Sequence, residues 1–201
     1  MKIGIMGGTF DPIHNGHLML GQAAYEAFEL DQVWFLPNGN PPHKTNSQIE
    51  ADASDRLEMT YLAVSGIPYF KASAYEAERT EVSCTFQTLE YFHARYPDNQ
   101  LFFIIGADSL YSIETWIHPE RIFPLCTILA AYRDEVNSRE LMEGKIHELR
   151  ERYHADIRLL VTPLMHVASH EIRQFIKEGK DISSYLPESV VSYIKEHGLY
   201  R

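Results

Sequence analysis

Six apolar runs of strand length recur along this 201-residue chain, and segments with helical spacing separate most of them. The runs are Lys2–Met6, Gln32–Leu36, Tyr69–Ala72, Leu101–Ile105, Thr127–Ala131 and Ile157–Val161. The spacing predicts helices over Gly16–Phe28, Asp52–Val64, Phe86–Arg95 and Arg139–Tyr153. Ser169 opens a further helix that Gly179 closes, and Pro187 starts a last one that Gly198 ends. Asn15 and Thr85 are placed to cap the first and third helices. The expected apolar stripes are Leu18, Leu20, Ala24 and Phe28 on the first, and Leu57, Tyr61 and Val64 on the second. Strands alternating with helices in this way bury themselves in a mostly parallel sheet with helices on both faces.

The expected class is therefore α/β, a Rossmann-like doubly wound fold. No linker or composition shift divides the chain, so 1–201 reads as one domain, with 169–201 as a small C-terminal helical part packed on it. In such sheets ligands lie beyond the carboxyl ends of the strands, where strand order reverses. The segments placed to meet a ligand are those after the first and fourth long strands, Gly7–His17 and Gly106–Ser109.

Charge narrows the partners. Eighteen Lys+Arg against 28 Asp+Glu leave a formal charge of −10, which argues against a nucleic-acid partner and against a polybasic membrane anchor. No apolar run approaches the roughly 18 residues of a membrane span. Met1–Gly8 is too short to be a secretory leader, and the expected location is the cytoplasm. Cys84 and Cys126 show neither Cys-x-x-Cys nor metal spacing, and read as reduced, buried thiols.

The first strand runs into Gly7-Gly8-Thr9-Phe10-Asp11-Pro12-Ile13-His14-Asn15-Gly16-His17. Two glycines allow a sharp turn and close approach of the backbone to a ligand. The helix that follows aims its unpaired N–H groups and the positive end of its dipole at the strand end, which suits phosphate. His14 and His17 stand three apart and share a face if both lie in the first turn. The string is neither a Walker loop nor a Gly-x-Gly-x-x-Gly fingerprint. No third ligand stands nearby at zinc spacing, so phosphate is the better reading of the histidines. Asp11, preceding Pro12, reads as a turn former.

As a whole, this string resembles the signature of the nucleotidyltransferase superfamily that carries Thr/His-x-Gly-His. Within that superfamily the chain is most similar to the bacterial nicotinate-nucleotide adenylyltransferases. Pro37-x-x-x-Pro41-Pro42-His43-Lys44, Arg56-x-x-Met59, Ser83-Cys84-Thr85, Gly106-Ala-Asp108-Ser109-Leu110, Trp116 and Ile172-Arg173 follow in the family's order, as does the tail Tyr185-Leu-Pro187…Tyr193-Ile194…Leu199-Tyr200. The resemblance implies an enzyme of NAD biosynthesis that transfers AMP from ATP to nicotinate mononucleotide, giving nicotinate adenine dinucleotide and pyrophosphate. Its acceptor is a phosphate monoester, already anionic at neutral pH, so the work is positioning and charge neutralisation rather than base catalysis.

The resemblance also implies roles. His14, His17 and Arg173 would be catalytic. ATP would be held by Gly7, Gly8, Thr9, Phe10, His14, His17, Gly106, Asp108, Ser169 and Arg173, with either imidazole able to carry charge beside the phosphates and Asp108 on the ribose. Asp108 could instead cap the next helix. Nicotinate mononucleotide would meet His43, Lys44, Cys84, Thr85 and Trp116, the indole stacking on the pyridine ring. Trp116 has core packing as its alternative, and the 37–44 loop a proline-stiffened connection. A carboxylate received at the helix start by Thr85 and the backbone around Cys84 would favour nicotinate over nicotinamide. Mg2+ would arrive with ATP, because no carboxylate cage of the chain's own is evident and no residue is assigned as a metal ligand. A homo-oligomer is compatible with the sequence.

One segment departs from the family. Its usual Ile-Ser-Ser-Thr-x-Ile-Arg stands here as Val167-Ala168-Ser169-His170-Glu171-Ile172-Arg173, so a hydroxyl is exchanged for the His170 imidazole, either a phosphate donor or a solvent-facing group. The family's Tyr beside Thr85 is Cys84. Two other readings stay open: a superfamily transferase for phosphopantetheine, nicotinamide mononucleotide or a phosphoalcohol, and a nucleotide sensor without turnover. Pyrophosphate release with each acceptor separates them.

Overall fold

The structure, a computed structural model, describes residues 1–41, 49–132, 139–162 and 167–201. Strands β1 (Lys2–Gly8), β2 (Gln32–Pro37), β3 (Phe70–Ala72), β4 (Gln100–Ile105), β5 (Thr127–Tyr132) and β6 (Ile157–Val161) form one sheet in the order β3-β2-β1-β4-β5-β6. β4 pairs in parallel with β1, Lys2 opposite Gln100 and Ile5 opposite Phe103. β5 joins β4 with Phe102 opposite Thr127, and β6 joins β5 with Ile128 opposite Ile157, both in parallel. Strand order thus reverses between β1 and β4, the doubly wound arrangement expected. Every residue of β5 is buried, and all of β4 except Gln100, as befits strands covered on both faces. The edge strand β6 instead mixes buried and exposed positions.

The helices are α1 (Asn15–Phe28), α2 (Ala53–Val64), α3 (Thr85–Arg95), α4 (Ala107–Ser112), α5 (Arg139–Tyr153), α6 (Ser169–Lys177) and α7 (Glu188–His197). Asp52 caps α2 by accepting the Asp55 N–H at 2.9 Å. Glu171 reaches back to the Ala168 N–H at 2.7 Å to close the start of α6. Gly179 and Gly198, at φ +68° and +64°, end the last two helices as expected.

Several details differ from the sequence reading. Asn15 lies inside α1 rather than capping it; its N–H donates to Tyr185 O at 2.8 Å and its amide to Ser184 O at 3.2 Å. Cys84, not Thr85, is the N-cap of α3, and no side chain caps that end. Cys84 is only half-buried, whereas Cys126 is buried and its thiol is pushed up to about 12 by desolvation. Of the stripe expected on α1 only Ala24 is fully buried. On α2 the buried face is Arg56, Met59, Thr60, Ala63 and Val64, with Tyr61 exposed. An arginine occupies that face because backbone carbonyls satisfy its guanidinium, which an apolar periodicity does not register.

The chain divides into two compact units. One comprises Met1–Gly7, Leu20–Val33 and Cys84–Leu164; the other comprises Gly8–Met19, Trp34–Ser83 and Met165–Arg201. In the second unit α7 is fastened to α2: Ser189 Oγ donates to Leu62 O at 3.2 Å and the Tyr193 hydroxyl to Asp55 Oδ1 at 2.9 Å.

Candidate active site

The second unit holds the histidine loop. Its turn is made at Phe10, buried at φ +49°, and not at the glycines, which lie in the extended strand β1. The glycines serve otherwise. A Cβ on Gly8 would stand 2.6 Å from Cε1 of Phe10, whereas one on Gly7 would meet nothing within 4 Å. The Phe10 ring in turn meets His17 edge-on, centroids 4.8 Å apart.

His14 and His17 do face the same way. Their rings stack with centroids 3.7 Å apart and planes 28° apart. The His14 backbone N–H donates to His17 Nδ1 at 3.2 Å, which places the ring proton of neutral His17 on Nε2. His14 is 6% exposed, and its Nδ1 has no hydrogen-bond partner among the described residues. Burial lowers its pKa to about 4, so His14 is neutral at pH 7. His14 of the free chain is therefore a neutral group, whereas the expectation of charge on an imidazole concerns the ring beside bound phosphates.

The loop is fastened by residues far along the chain. Arg56 Nη1 donates to Thr9 O at 2.6 Å, Arg173 Nη1 to Asp11 O at 2.7 Å, and Ser169 Oγ to Pro12 O at 3.0 Å. Asp11, 2% exposed, sits in a turn as expected and is also the hub of this network. Its carboxylate accepts the N–H groups of Glu50 and Ala51 at 2.9 and 3.1 Å and the Tyr200 hydroxyl at 2.8 Å. Arg173 Nη1 lies 3.6 Å from Asp11 Oδ2. Arg56 is 1% exposed and also donates to Ala51 O and Gly39 O; burial pulls its guanidinium below the usual value, opposed first by Asp11.

Arg173 presents a second nitrogen, Nε, to Glu50 Oε1 at 3.0 Å, and Lys177, one turn further along α6, meets the same carboxylate at 2.9 Å. Hydrogen bonding to Lys177, and then to Arg173, holds the Glu50 carboxyl below its usual range. A pocket of about 310 Å³ adjoins this network, with Glu50, Asp52 and Arg56 in its wall. His170 is exposed, on the solvent side of its two readings, while Ser169 is half-buried on the loop. Local sequence signals assign no role to Arg56, Glu50 or Tyr200, although Arg56 and Tyr200 lie within motifs that resemble the family's.

The first unit holds other expected residues. Gly106 is the N-cap of α4, where a Cβ would meet nothing within 4 Å. Asp108 lies in the first turn of α4 and is exposed, so its capping alternative is overturned. Thr85 is half-buried at the start of α3 beside Cys84. Trp116 is half-buried, edge-on to Phe103 with centroids 6.1 Å apart, which leaves part of the indole out of the core. His43 and Lys44 lie outside the described residues. Among the described residues no group of three His, Cys, Asp or Glu side chains could hold a metal ion, and no helix is long and apolar enough to cross a membrane.

Comparison with known proteins bears on the whole chain. The cytidylyltransferase-like family model matches residues 5–185. The probable nicotinate-nucleotide adenylyltransferase of Lachnoclostridium phytofermentans is 43% identical, covering 99% of this chain and 98% of that relative. The one of Clostridium kluyveri is 38% identical and covers 100% of both. Among solved structures, Plasmodium falciparum nicotinic acid mononucleotide adenylyltransferase complexed with NaAD superposes with a TM-score of 0.80 over 99% of this chain and 97% of that one. At 19% identity that likeness speaks for the fold.

Proposed function

This chain belongs to the cytidylyltransferase-like family and, within it, to the nicotinate-nucleotide adenylyltransferases, and from that premise we propose how its residues work. It joins ATP and nicotinate mononucleotide. An oxygen of the mononucleotide's phosphate attacks the α-phosphorus of ATP. The new P–O–P bond forms as the bond to the β-phosphate oxygen breaks, and pyrophosphate leaves with that electron pair. No proton need be removed from the nucleophile, so what the protein supplies is alignment and donors.

The observation that carries this reading is the stacked His14–His17 pair on the loop that leaves β1. With Nδ1 of His17 accepting from the His14 backbone, its Nε2–H is the donor assigned to the phosphates of ATP. The N–H groups of Gly8, Thr9 and Phe10 are assigned to the transferring phosphate, and Gly7 to backbone contact with it. Arg173 and Ser169 are assigned to the triphosphate, Arg173 exchanging the Glu50 carboxylate for phosphate oxygens. Gly106 and Asp108 are assigned to the adenosine ribose. Thr85, the Cys84 backbone and Trp116 are assigned to the nicotinate ring, with His43 and Lys44 beside them.

Mg2+ belongs to the substrate in this scheme. The carboxylates at the loop are already engaged, Asp11 by backbone N–H groups and the Tyr200 hydroxyl and Glu50 by Arg173 and Lys177, so the ion is assigned to the phosphate oxygens of ATP. Residues 1–201 act as one nucleotidyltransferase domain, and its assigned location is the cytoplasm. The deciding experiment offers ATP, Mg2+ and either nicotinate or nicotinamide mononucleotide in competition and follows pyrophosphate release. Nicotinate mononucleotide is expected to turn over faster; a faster amide would overturn the acceptor assignment.

A further inference from the structure

We propose that Tyr200 is a positioning residue for adenylyl transfer: its hydroxyl fixes the Asp11 carboxylate and, through it, Arg173 and the histidine loop. Tyr200 is 6% exposed, and its hydroxyl donates to Asp11 Oδ1 at 2.8 Å. The tail reaches that point through two left-handed residues, Gly198 at φ +64° and Tyr200 itself at φ +62°. Glycine takes this conformation readily, whereas a tyrosine does so against steric resistance and needs surrounding contacts to hold it. On the other side of the contact, Phe10 at φ +49° is strained in the same sense, next to Asp11 in sequence. Two strained segments therefore meet at one buried carboxylate.

That carboxylate has little slack. Oδ1 takes the Ala51 N–H and the Tyr200 hydroxyl, and Oδ2 takes the Glu50 N–H with Arg173 Nη1 at 3.6 Å. Without the hydroxyl, Oδ1 keeps one donor and the group is free to rotate toward Arg173. Arg173 also holds the Asp11 backbone carbonyl at 2.7 Å, so such a rotation moves the loop that carries His14 and His17. Displacements of this size at reacting groups cost turnover far more than they cost binding. The inference rests on the reading of this loop and Arg173 as the phosphate-handling groups.

A matched pair of variants tests it. Tyr200→Phe keeps the ring and removes the hydroxyl. Tyr193→Phe removes a bond of the same kind in the same C-terminal segment, the 2.9 Å contact to Asp55, away from the histidine loop. Both are assayed with ATP and nicotinate mononucleotide at a temperature where both are folded by circular dichroism. Tyr200→Phe is expected to lower kcat about tenfold, with KM for nicotinate mononucleotide within about twofold, while Tyr193→Phe keeps kcat within about twofold. In an Asp11→Asn background, Tyr200→Phe is expected to cause no further loss, because both changes act through one carboxylate. Normal kcat in Tyr200→Phe, an equal loss in Tyr193→Phe, multiplying losses with Asp11→Asn, or a Tyr200→Phe chain that does not fold would each overturn the proposal. Failure of the functional reading shows separately, as absence of turnover in the unaltered chain.

Discussion

His14 lies face to face with His17 at 3.7 Å, a contact that two imidazolium ions would resist and that a neutral His14 permits. The stack and the bond from the His14 N–H to His17 Nδ1 fix the direction of His17 Nε2. His17→Ala is therefore expected to lower kcat about a hundredfold or more, as loss of one oriented donor to developing charge does. His17 is only half-buried, so the circular dichroism spectrum should stay that of the unaltered chain. Near-normal turnover in this variant would take His17 out of the mechanism.

His14 also makes stability depend on pH. Its pKa falls from 6.5 to about 4 on folding because burial penalises the charged ring. The unfolded chain thus binds the extra proton between those values, and stability falls as pH drops from about 6.5 to 4. The full loss below that window is about 3 kcal/mol, taking 1.36 kcal/mol per pH unit. Carboxylates titrate near its lower end, so the clean measurement is a difference. Urea midpoints of the unaltered chain should fall faster across this window than those of His14→Gln, and parallel curves would contradict the burial of a neutral ring.

The two glycines of the loop should respond oppositely. Gly8→Ala drives a Cβ to 2.6 Å from the Phe10 ring, which is held against His17. It should cost about 1–3 kcal/mol of stability, as overpacking does, and lower kcat with it. Gly7→Ala adds a methyl into open space and should leave the melting temperature unchanged. If ATP approaches the backbone there, KM for ATP rises instead. A destabilised Gly7→Ala or an unaffected Gly8→Ala would reverse these assignments.

The doubly wound sheet was legible because alternation of strand and helix periods is a local property, readable a few residues at a time. The histidine pair was legible for the same reason. α4 was legible only as a helix that Asp108 could cap, being six residues with no room for a period, and the buried face of α2 was misread because Arg56 lies on it. The role of Asp11 was beyond local reading altogether. Its partners stand 39 residues away at Glu50, 162 at Arg173 and 189 at Tyr200, and only folding brings them to one carboxylate. Cys84 and Thr85 differed from expectation by one position at the start of α3, where neither residue's side chain supplies a cap to set the boundary.

Glu50 supplies the sharpest test of how Arg173 is used. In the free chain its carboxylate bridges Arg173 Nε and Lys177 Nζ, while its backbone N–H serves Asp11. Glu50→Gln leaves that N–H and a carbonyl acceptor in place and removes one negative charge. If Arg173 must let go of Glu50 to grip triphosphate, the exchange becomes easier and a like charge near the phosphates is gone. KM for ATP is then expected to fall roughly threefold, about 0.7 kcal/mol in the favourable direction. Stability should move the other way. The Glu50 carboxyl is held below its usual range by Lys177 and Arg173, so its contribution is present above the unfolded value of 4.5 and lost as pH falls through the folded one. With Glu50 a third exposed, that contribution is below about 1 kcal/mol after solvent screening. A slightly less stable protein that binds ATP more tightly is the expected pair of results from thermal melts and initial rates. A rise in KM for ATP would mean that Glu50 holds Arg173 in its working position rather than away from it.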